Sequence, residues 1–444
     1  MRRHIPLLLL LLAYLFVVSL YAVYTPAWQA PDEPAHYNYV RQLSSGRLPV
    51  IEPDDYDEAY RREIVSARFD PAYSIEPLTY EDWQPPLYYL LLTPVFLLFS
   101  GALLPLRLAN VVLGAGVVAL TYIVARQLWP RRQWPALLAA AFVAFLPQHV
   151  AMMAAVNNDS LAELLIGLLL ALLLNQVTHP DIAPRRWLLI GLVLGLGFLT
   201  KATVYIMAPV IALAIFWLYR RDEMRLLRTG ALTFVPAFLL GLPWWLRNLF
   251  LYPGFDPMAT AAHDRAVEGQ VRTAEWVSEF GLGETIVRLL RTTFQSFWGQ
   301  FGWMGVVMDS RIYLLLFGFT IFVLLGLLWA TLTTADRWRR TAAGASSASH
   351  LPAAILIVTF LFSLGVFIGY NFTFVQHQGR YLFPALIPIA AGVTLGIKSW
   401  LTPLLDRAHN VPLSGTVVFL FAIALLALDL WALFRFVVPQ LALP

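Results

Sequence analysis

Long apolar runs alternate along this chain with short polar breaks that carry arginine, and the runs have the length of bilayer-crossing helices. About 20 apolar residues are needed to cross. Eleven segments come close to or meet that demand: 5–24, 105–125, 134–152, 160–177, 187–200, 203–219, 229–249, 311–333, 351–370, 381–400 and 412–434. A further segment, 85–103 (PPLYYLLLTPVFLLFSGAL), is apolar but opens on two prolines and carries another at Pro94. The pattern predicts an all-α polytopic membrane protein.

The arginines decide how the ambiguous segment is treated, because cytoplasmic loops collect Lys and Arg. If 85–103 does not span, one side gathers Arg2, Arg3, Arg126, Arg131, Arg132, Arg185, Arg186, Arg220, Arg221, Arg225, Arg228, Arg337, Arg339, Arg340, Lys398 and Arg407. These are sixteen of the 31 Lys and Arg. The short connections on the other side then hold little beyond Lys201 and Arg380. If it spans, every later loop changes side and the rule fails throughout. Segment 85–103 is therefore read as juxtamembrane or re-entrant. The chain becomes about 11 transmembrane helices with the N-terminus inside, a single integral membrane domain over 1–444. Irregular backbone at membrane depth survives only where protein covers it or a cavity wets it, so this element is expected to help wall a cavity. Two large extracytoplasmic loops follow. The first covers 25–104 with its juxtamembrane elements, and its 25–84 stretch has twelve acidic residues against five arginines. The second, 250–310, is mixed and aromatic-rich.

Composition agrees. Of 444 residues 59% are hydrophobic and 13% charged, with mean hydropathy +0.67, where a soluble protein carries roughly a quarter charged residues. The positive charge is confined to particular loops, so no nucleic-acid partner is implied. No cysteine is present, which excludes disulfides, thiolate metal sites and cysteine nucleophiles. Met1-Arg2-Arg3-His4 resembles the basic region of a signal peptide, but Ile5–Tyr24 exceeds the usual apolar core of about 7–15 residues. It is read as an uncleaved first span. There is no P-loop, which argues against an ATP-driven pump.

Ionisable residues in membrane segments are expensive and usually functional. Glu163, Lys201, Arg247 and Asp429 fall near the outer ends of their spans, and Arg380 sits in a short outer connection. A transporter would place such residues near the midplane on interrupted helices of repeated halves; here they point to a cavity at the outer face. Directly after the first span comes WQAPDEPAHYNYVRQL, Trp28 to Leu43. Asp32 or Glu33 is expected to cap a helix with Pro34 in its first turn and Gly46 past its end. Two adjacent acids can also divide labour, one deprotonating a hydroxyl while the other orients the acceptor, binds a metal or raises its partner's pKa.

That acidic pair, followed by DWQPPLYYLLL (Asp82 to Leu92), resembles the GT-C superfamily of polyprenyl-phosphate-sugar glycosyltransferases. Its relatives include the dolichyl-phosphate-mannose protein mannosyltransferases and the bacterial aminoarabinose transferases. FLPQHVAMMAAVNNDSLAELL (Phe145 to Leu165), GFLTKATVY (Gly197 to Tyr205), PWWLRNLFLYPGFDP (Pro243 to Pro257) and QHQGRYLFPALIP (Gln376 to Pro388) extend the likeness. SFWGQFGWM (Ser296 to Met304) resembles an uncharacterised bacterial branch that shares the PDEPAH loop. The chain departs at Gln84, where His or Lys is common.

The resemblance implies transfer of a sugar from a polyprenyl-phosphate donor to a hydroxyl or amine of a lipid, glycan or protein acceptor. The transfer would invert configuration, on the face of the plasma membrane away from the cytoplasm. Asp32 matches the family's catalytic acid position and is expected as general base. Glu33 is the second acid, orienting the acceptor or holding an optional divalent cation (Mg²⁺, Mn²⁺ or Ca²⁺); no cofactor is otherwise implied. Lys201, Arg247 and Arg380 are the donor-phosphate candidates, set against interfacial snorkelling. His36, Asn158, Asp159 and His377 are candidates for the acceptor or sugar pocket; Asn157 to Asp159 also suit a helix cap. Trp298, Phe301 and Trp303 read as interfacial anchors, and EPDDYDEAYRRE (Glu52 to Glu63) as a solvated, charge-balanced loop. Gly191 and Gly195 suit close helix packing. The alternatives are a lipid-linked-sugar flippase and a non-catalytic component of an envelope-polysaccharide pathway.

Overall fold

In the computed structural model, which describes residues 4–179, 184–341, 350–408 and 411–443, the described chain is predominantly helical, with one short two-stranded hairpin. Among the described residues nine helices are long and apolar enough to cross a bilayer. They become ten if the bent pair Trp134–Ala144 and Pro147–Met153 is one span. The protein is an integral membrane protein.

Two of the eleven expected spans account for the difference. Segment 134–152 is broken by 64° before Pro147. Proline lacks an N–H and disfavours helix in the residue before it, and Leu146 is accordingly extended at ψ 112°. Segment 187–200 forms only Arg185–Phe198, 14 residues, or about 21 Å at 1.5 Å per residue. That falls short of the roughly 30 Å hydrocarbon core. The ambiguous segment forms Leu87–Leu98, 12 residues with Pro94 inside, too short to cross. Its end is turned by Gly101 at φ +76°, whose carbonyl accepts from the Tyr37 hydroxyl at 2.8 Å.

The first helix, α1 (Ile5–Tyr24), packs on Leu103–Leu128, which in turn packs on Trp134–Ala144 and on Asp159–Thr178. Arg185–Phe198 lies along Glu223–Leu251. Gly191 and Gly195 permit this approach: a Cβ at Gly191 would collide with the backbone of Thr233, and one at Gly195 with Leu240 and Ala237. The expected small-residue packing is present. Ser310–Thr341 pairs with Leu386–Ala408.

The connections 25–84 and 250–310 fold together at one end of the bundle. The first supplies α2 (Glu33–Ser44) and α3 (Glu58–Ser66). Ala35, Ile64, Phe69, Leu78 and Tyr80 form a small core that takes in Val267 from the second. The turn before Arg380 joins them, with the Val375 N–H on the Val271 carbonyl at 3.1 Å. Three segments remote in sequence thus share one end, and the site lies among them.

Candidate active site

Asp32 occupies the position before α2 but does not cap it. Its backbone is left-handed at φ +67°, a conformation Asp tolerates better than most side chains. The carboxylate instead accepts from the Tyr80 hydroxyl at 3.1 Å and from an Arg380 terminal nitrogen at 2.6 Å. Arg380 is held by its Nε on the Gln378 side-chain oxygen at 2.7 Å, while among the described residues its other terminal nitrogen meets only the Met152 sulfur, at 3.6 Å. The preceding Gly379 lets this turn press on the helix Thr273–Trp298, since a Cβ would collide with the backbone of Thr293 and Phe297.

Asp32 and Arg380 line a polar cavity of about 240 Å³. Its wall also includes Tyr56, Glu58, Arg61, Tyr80, Glu81, His263, Trp303, Met304, Tyr370 and Tyr381. A larger cavity of about 1150 Å³ lies near the start of α1, between Pro6–Ala13 and Ser414–Leu426. It is mostly apolar and remote from these ionisable groups, so the smaller one is the candidate for chemistry. Its electrostatics follow from burial and pairing. Burial alone would raise the Asp32 carboxyl, but the charge and hydrogen bond of Arg380, with His36 and Lys201, hold it below the usual value. Burial drives His36 down to about 3, with Lys201 adding to the effect. Burial and the nearby Asp32 charge push Glu81 up to about 7.

The expected site residues separate into groups. Lys201 is paired with Asp159 at 2.7 Å and is near enough to act on Asp32, His36 and Glu81. The segment 85–103 helps hold this corner: the Leu87 N–H donates to the Leu199 carbonyl at 2.9 Å. His36 Nδ1 meets the Tyr89 hydroxyl at 2.8 Å, and Asn158 donates to the same hydroxyl at 3.4 Å. Both are buried behind the cavity wall rather than on it.

Three placements differ from expectation. Glu33 is fully buried and gripped by Arg107, with Nε at 2.8 Å on one oxygen and a terminal nitrogen at 2.6 Å on the other. The backbone N–H groups of Trp28 and Val156 donate to it as well, at 3.1 and 3.2 Å. A carboxylate so engaged is a structural clamp, and neither an acceptor-orienting nor a metal role suits it. Among the described residues no group of three or more His, Asp or Glu side chains is arranged to hold a metal ion. Arg247 lies outside the cavity. It stacks on Trp244 at 4.6 Å, donates to Asn248 at 3.1 Å and binds the Pro49 carbonyl. His377 turns its ring onto Trp276 at 5.3 Å, away from the cavity that its neighbours Gln376 and Gln378 line.

The aromatic segment is corrected too. Trp298 and Phe301 are buried in the bundle core rather than anchored at an interface. The hairpin Gln300–Phe301 with Val306–Val307 folds the chain back, and left-handed residues at Gly302, Trp303 and Met304 carry the last two to the cavity. Trp303 donates to the Trp28 carbonyl at 3.0 Å and stacks on Phe69. Within the presumed solvated loop, Tyr56, Glu58 and Arg61 face the cavity, Arg61 donating to Glu58 at 2.8 and 2.9 Å.

Residues 83–246 match the family model described as dolichyl-phosphate-mannose-protein mannosyltransferase. The undecaprenyl phosphate-alpha-4-amino-4-deoxy-L-arabinose arabinosyl transferase of Pseudomonas aeruginosa (strain UCBPP-PA14) is 35% identical over 156 residues, 33% of this chain and 27% of the relative. A second transferase of that description, from Proteus mirabilis (strain HI4320), is 25% identical over 215 residues, 47% of this chain and 37% of the relative. The two matches thus span 27% and 37% of those relatives' lengths. Among solved structures, ArnT from Cupriavidus metallidurans bound to undecaprenyl phosphate superposes with TM-score 0.52 at 16% identity, over 98% of this chain and 74% of that one. The oligosaccharyltransferase AglB from Archaeoglobus fulgidus, in complex with an inhibitory peptide and a dolichol-phosphate, gives 0.52 at 15% identity, over 97% and 55%. At such identities the likeness is one of fold.

Proposed function

We propose that this chain, GT-C-like in its family match and in its fold, is a membrane glycosyltransferase that moves a sugar from a polyprenyl-phosphate donor to an acceptor, with inversion. One observation carries the reading. Asp32, exiting the first span, and Arg380, from far along the chain, meet at 2.6 Å on the wall of a polar cavity. Lys201, paired with Asp159 and not itself on the wall, acts on Asp32 through its charge. The donor's leaving group is already a phosphate, so the site needs one proton acceptor and cations for the developing charge. Arg380 keeps one terminal nitrogen on Asp32 and offers the other, poorly satisfied by sulfur, to a phosphate oxygen. Lys201 adds a point charge. Of the three carboxylates on the wall, Glu58 is taken up by Tyr56, Arg61 and Arg62, which leaves Asp32 and Glu81 for the acceptor's hydroxyl or amine.

The test is a panel of polyprenyl-phosphate sugars offered to purified protein with envelope extracts as acceptor source. The donor named for the arabinosyl transferases heads the panel. Release of free carrier phosphate is expected; silence across the panel would refute the reading. The cavity is assigned to the side of the plasma membrane facing away from the cytoplasm, on the arginine distribution. Tyr60→Cys should then react with an impermeant maleimide in intact cells while Asp222→Cys does not, and the reverse pattern would overturn the orientation. The native chain offers no competing cysteine.

A further inference from the structure

We infer that Glu81, and not Asp32, takes the proton from the acceptor, while Asp32 holds Arg380 in position for the leaving phosphate. This rests on the reading above, that a sugar leaves a phosphate carrier in this cavity. Both carboxylates line it, and their bonding separates them. Each Asp32 oxygen is taken, one by the Tyr80 hydroxyl and one by Arg380. Donors of that kind stabilise the charged form and make a poor proton acceptor. Glu81 has Oε2 on the Gln84 side-chain nitrogen at 2.9 Å, and Oε1 has no partner among the described residues.

The backbone fixes where Glu81 sits. It lies in a tight turn in which the Asp82 N–H donates to the Thr79 carbonyl and the Gln84 N–H to the Glu81 carbonyl, each at 2.9 Å. Gln42 anchors the next residue, Asp82, at 2.6 Å. The titratable groups that act on Glu81, or on which it acts, are Asp32, Tyr80, Asp82, Tyr89, Lys201, His263 and Tyr370. Burial and Asp32 raise its carboxyl to about 7, against the pull of Lys201 and His263. A base is most effective near the working pH. Neighbouring carboxylates pushed apart by their surroundings commonly divide the acid–base and electrostatic roles.

In the step, the acceptor oxygen forms a bond to the anomeric carbon of the sugar. The bond from that carbon to the phosphate oxygen breaks, and its electron pair leaves with the carrier phosphate. The acceptor's proton passes to Glu81 and from there to water, so one acceptor and one donor give one glycoside, one carrier phosphate and one proton.

The experiment uses the full chain in lipid nanodiscs with undecaprenyl-phosphate-linked 4-amino-4-deoxy-L-arabinose and an envelope extract, following carrier-phosphate release against pH. The wild-type rate should fall as pH drops through about 7, where Glu81 becomes protonated. Glu81→Gln should lose about 10²- to 10⁴-fold, with a residual rate flat through that range. Glu81→Asp should recover the acid limb and part of the rate. Asp82→Asn should keep the limb in place, although burial raises Asp82 to about 8. A Glu81→Gln enzyme with undiminished rate, or with the limb unmoved, overturns the inference while leaving sugar transfer intact. If no donor turns over, the transfer reading fails instead. Infrared titration of the active enzyme gives a second reading on Glu81: a protonated-carboxyl band titrating near 7 and missing from Glu81→Gln supports the inference, and its absence overturns it.

Discussion

Replacing Glu33 with Gln keeps the shape of the side chain and removes its charge. In the wild type, Glu33 is fully buried and Arg107 nearly so. Four donors converge on the carboxylate: two from Arg107 and the N–H groups of Trp28 and Val156. An amide turns one acceptor oxygen into an NH₂ facing donors and leaves the Arg107 charge without a counter-ion. Arg107 would retain the carbonyls of Ala22, Thr25 and Pro26, which offset part of the loss. Breaking a buried pair by altering one partner costs about 3–5 kcal/mol. At roughly 2 °C per kcal/mol, the low end of the range for large domains, the apparent unfolding temperature in detergent should drop about 6–10 °C. The assay is tryptophan-fluorescence melting beside donor turnover at low temperature, where Glu33→Gln should still work. An unchanged melt with turnover abolished would refute the clamp and restore Glu33 to the chemistry.

Other expectations follow from the same geometry. Arg380→Ala should raise the apparent donor KM by roughly 10- to 100-fold, from the loss of one charged hydrogen bond, and leave acceptor KM nearly unchanged; equal effects on both would count against a phosphate contact. Gly379→Ala should reduce turnover and donor affinity together, because its methyl collides with the backbone of Thr293 and Phe297 and displaces the Arg380 turn; wild-type kinetics would show that the approach is not needed. Arg247→Ala, outside the cavity, should leave donor KM unchanged and loosen the 49–52 segment, detectable as faster limited proteolysis there; a raised donor KM would return it to the phosphate site.

Much of the fold was legible because bilayer thickness imposes a length on apolar runs. The break at Pro147 and the short Arg185–Phe198 helix escaped, since hydropathy measures apolarity and not straightness or reach. The arginine pattern placed Asp32, Lys201 and Arg380 at one end of the bundle, where Asp32 meets Arg380 and Lys201 pairs with Asp159. It could not say which way each side chain turns, so Arg247 was grouped with them although its helix face points it to Pro49. The Glu33 clamp had a signal that was passed over: Arg107 stands inside the apolar run LLPLRLANVV, and such a residue needs a partner. Glu81 carried no signal, as one acid among twelve in a polar loop; only the tertiary fold buries it beside Asp32.

The contact between Asp32 and Arg380 joins residues 348 positions apart. At about 5–20 residues per second of synthesis, the aspartate waits roughly 17–70 s at the membrane before its guanidinium emerges. A nascent or truncated polypeptide thus holds the anion without this guanidinium, and the proposed phosphate grip stays incomplete until residue 380 has threaded in. On the proposed reading, competence for transfer therefore arrives late in biogenesis.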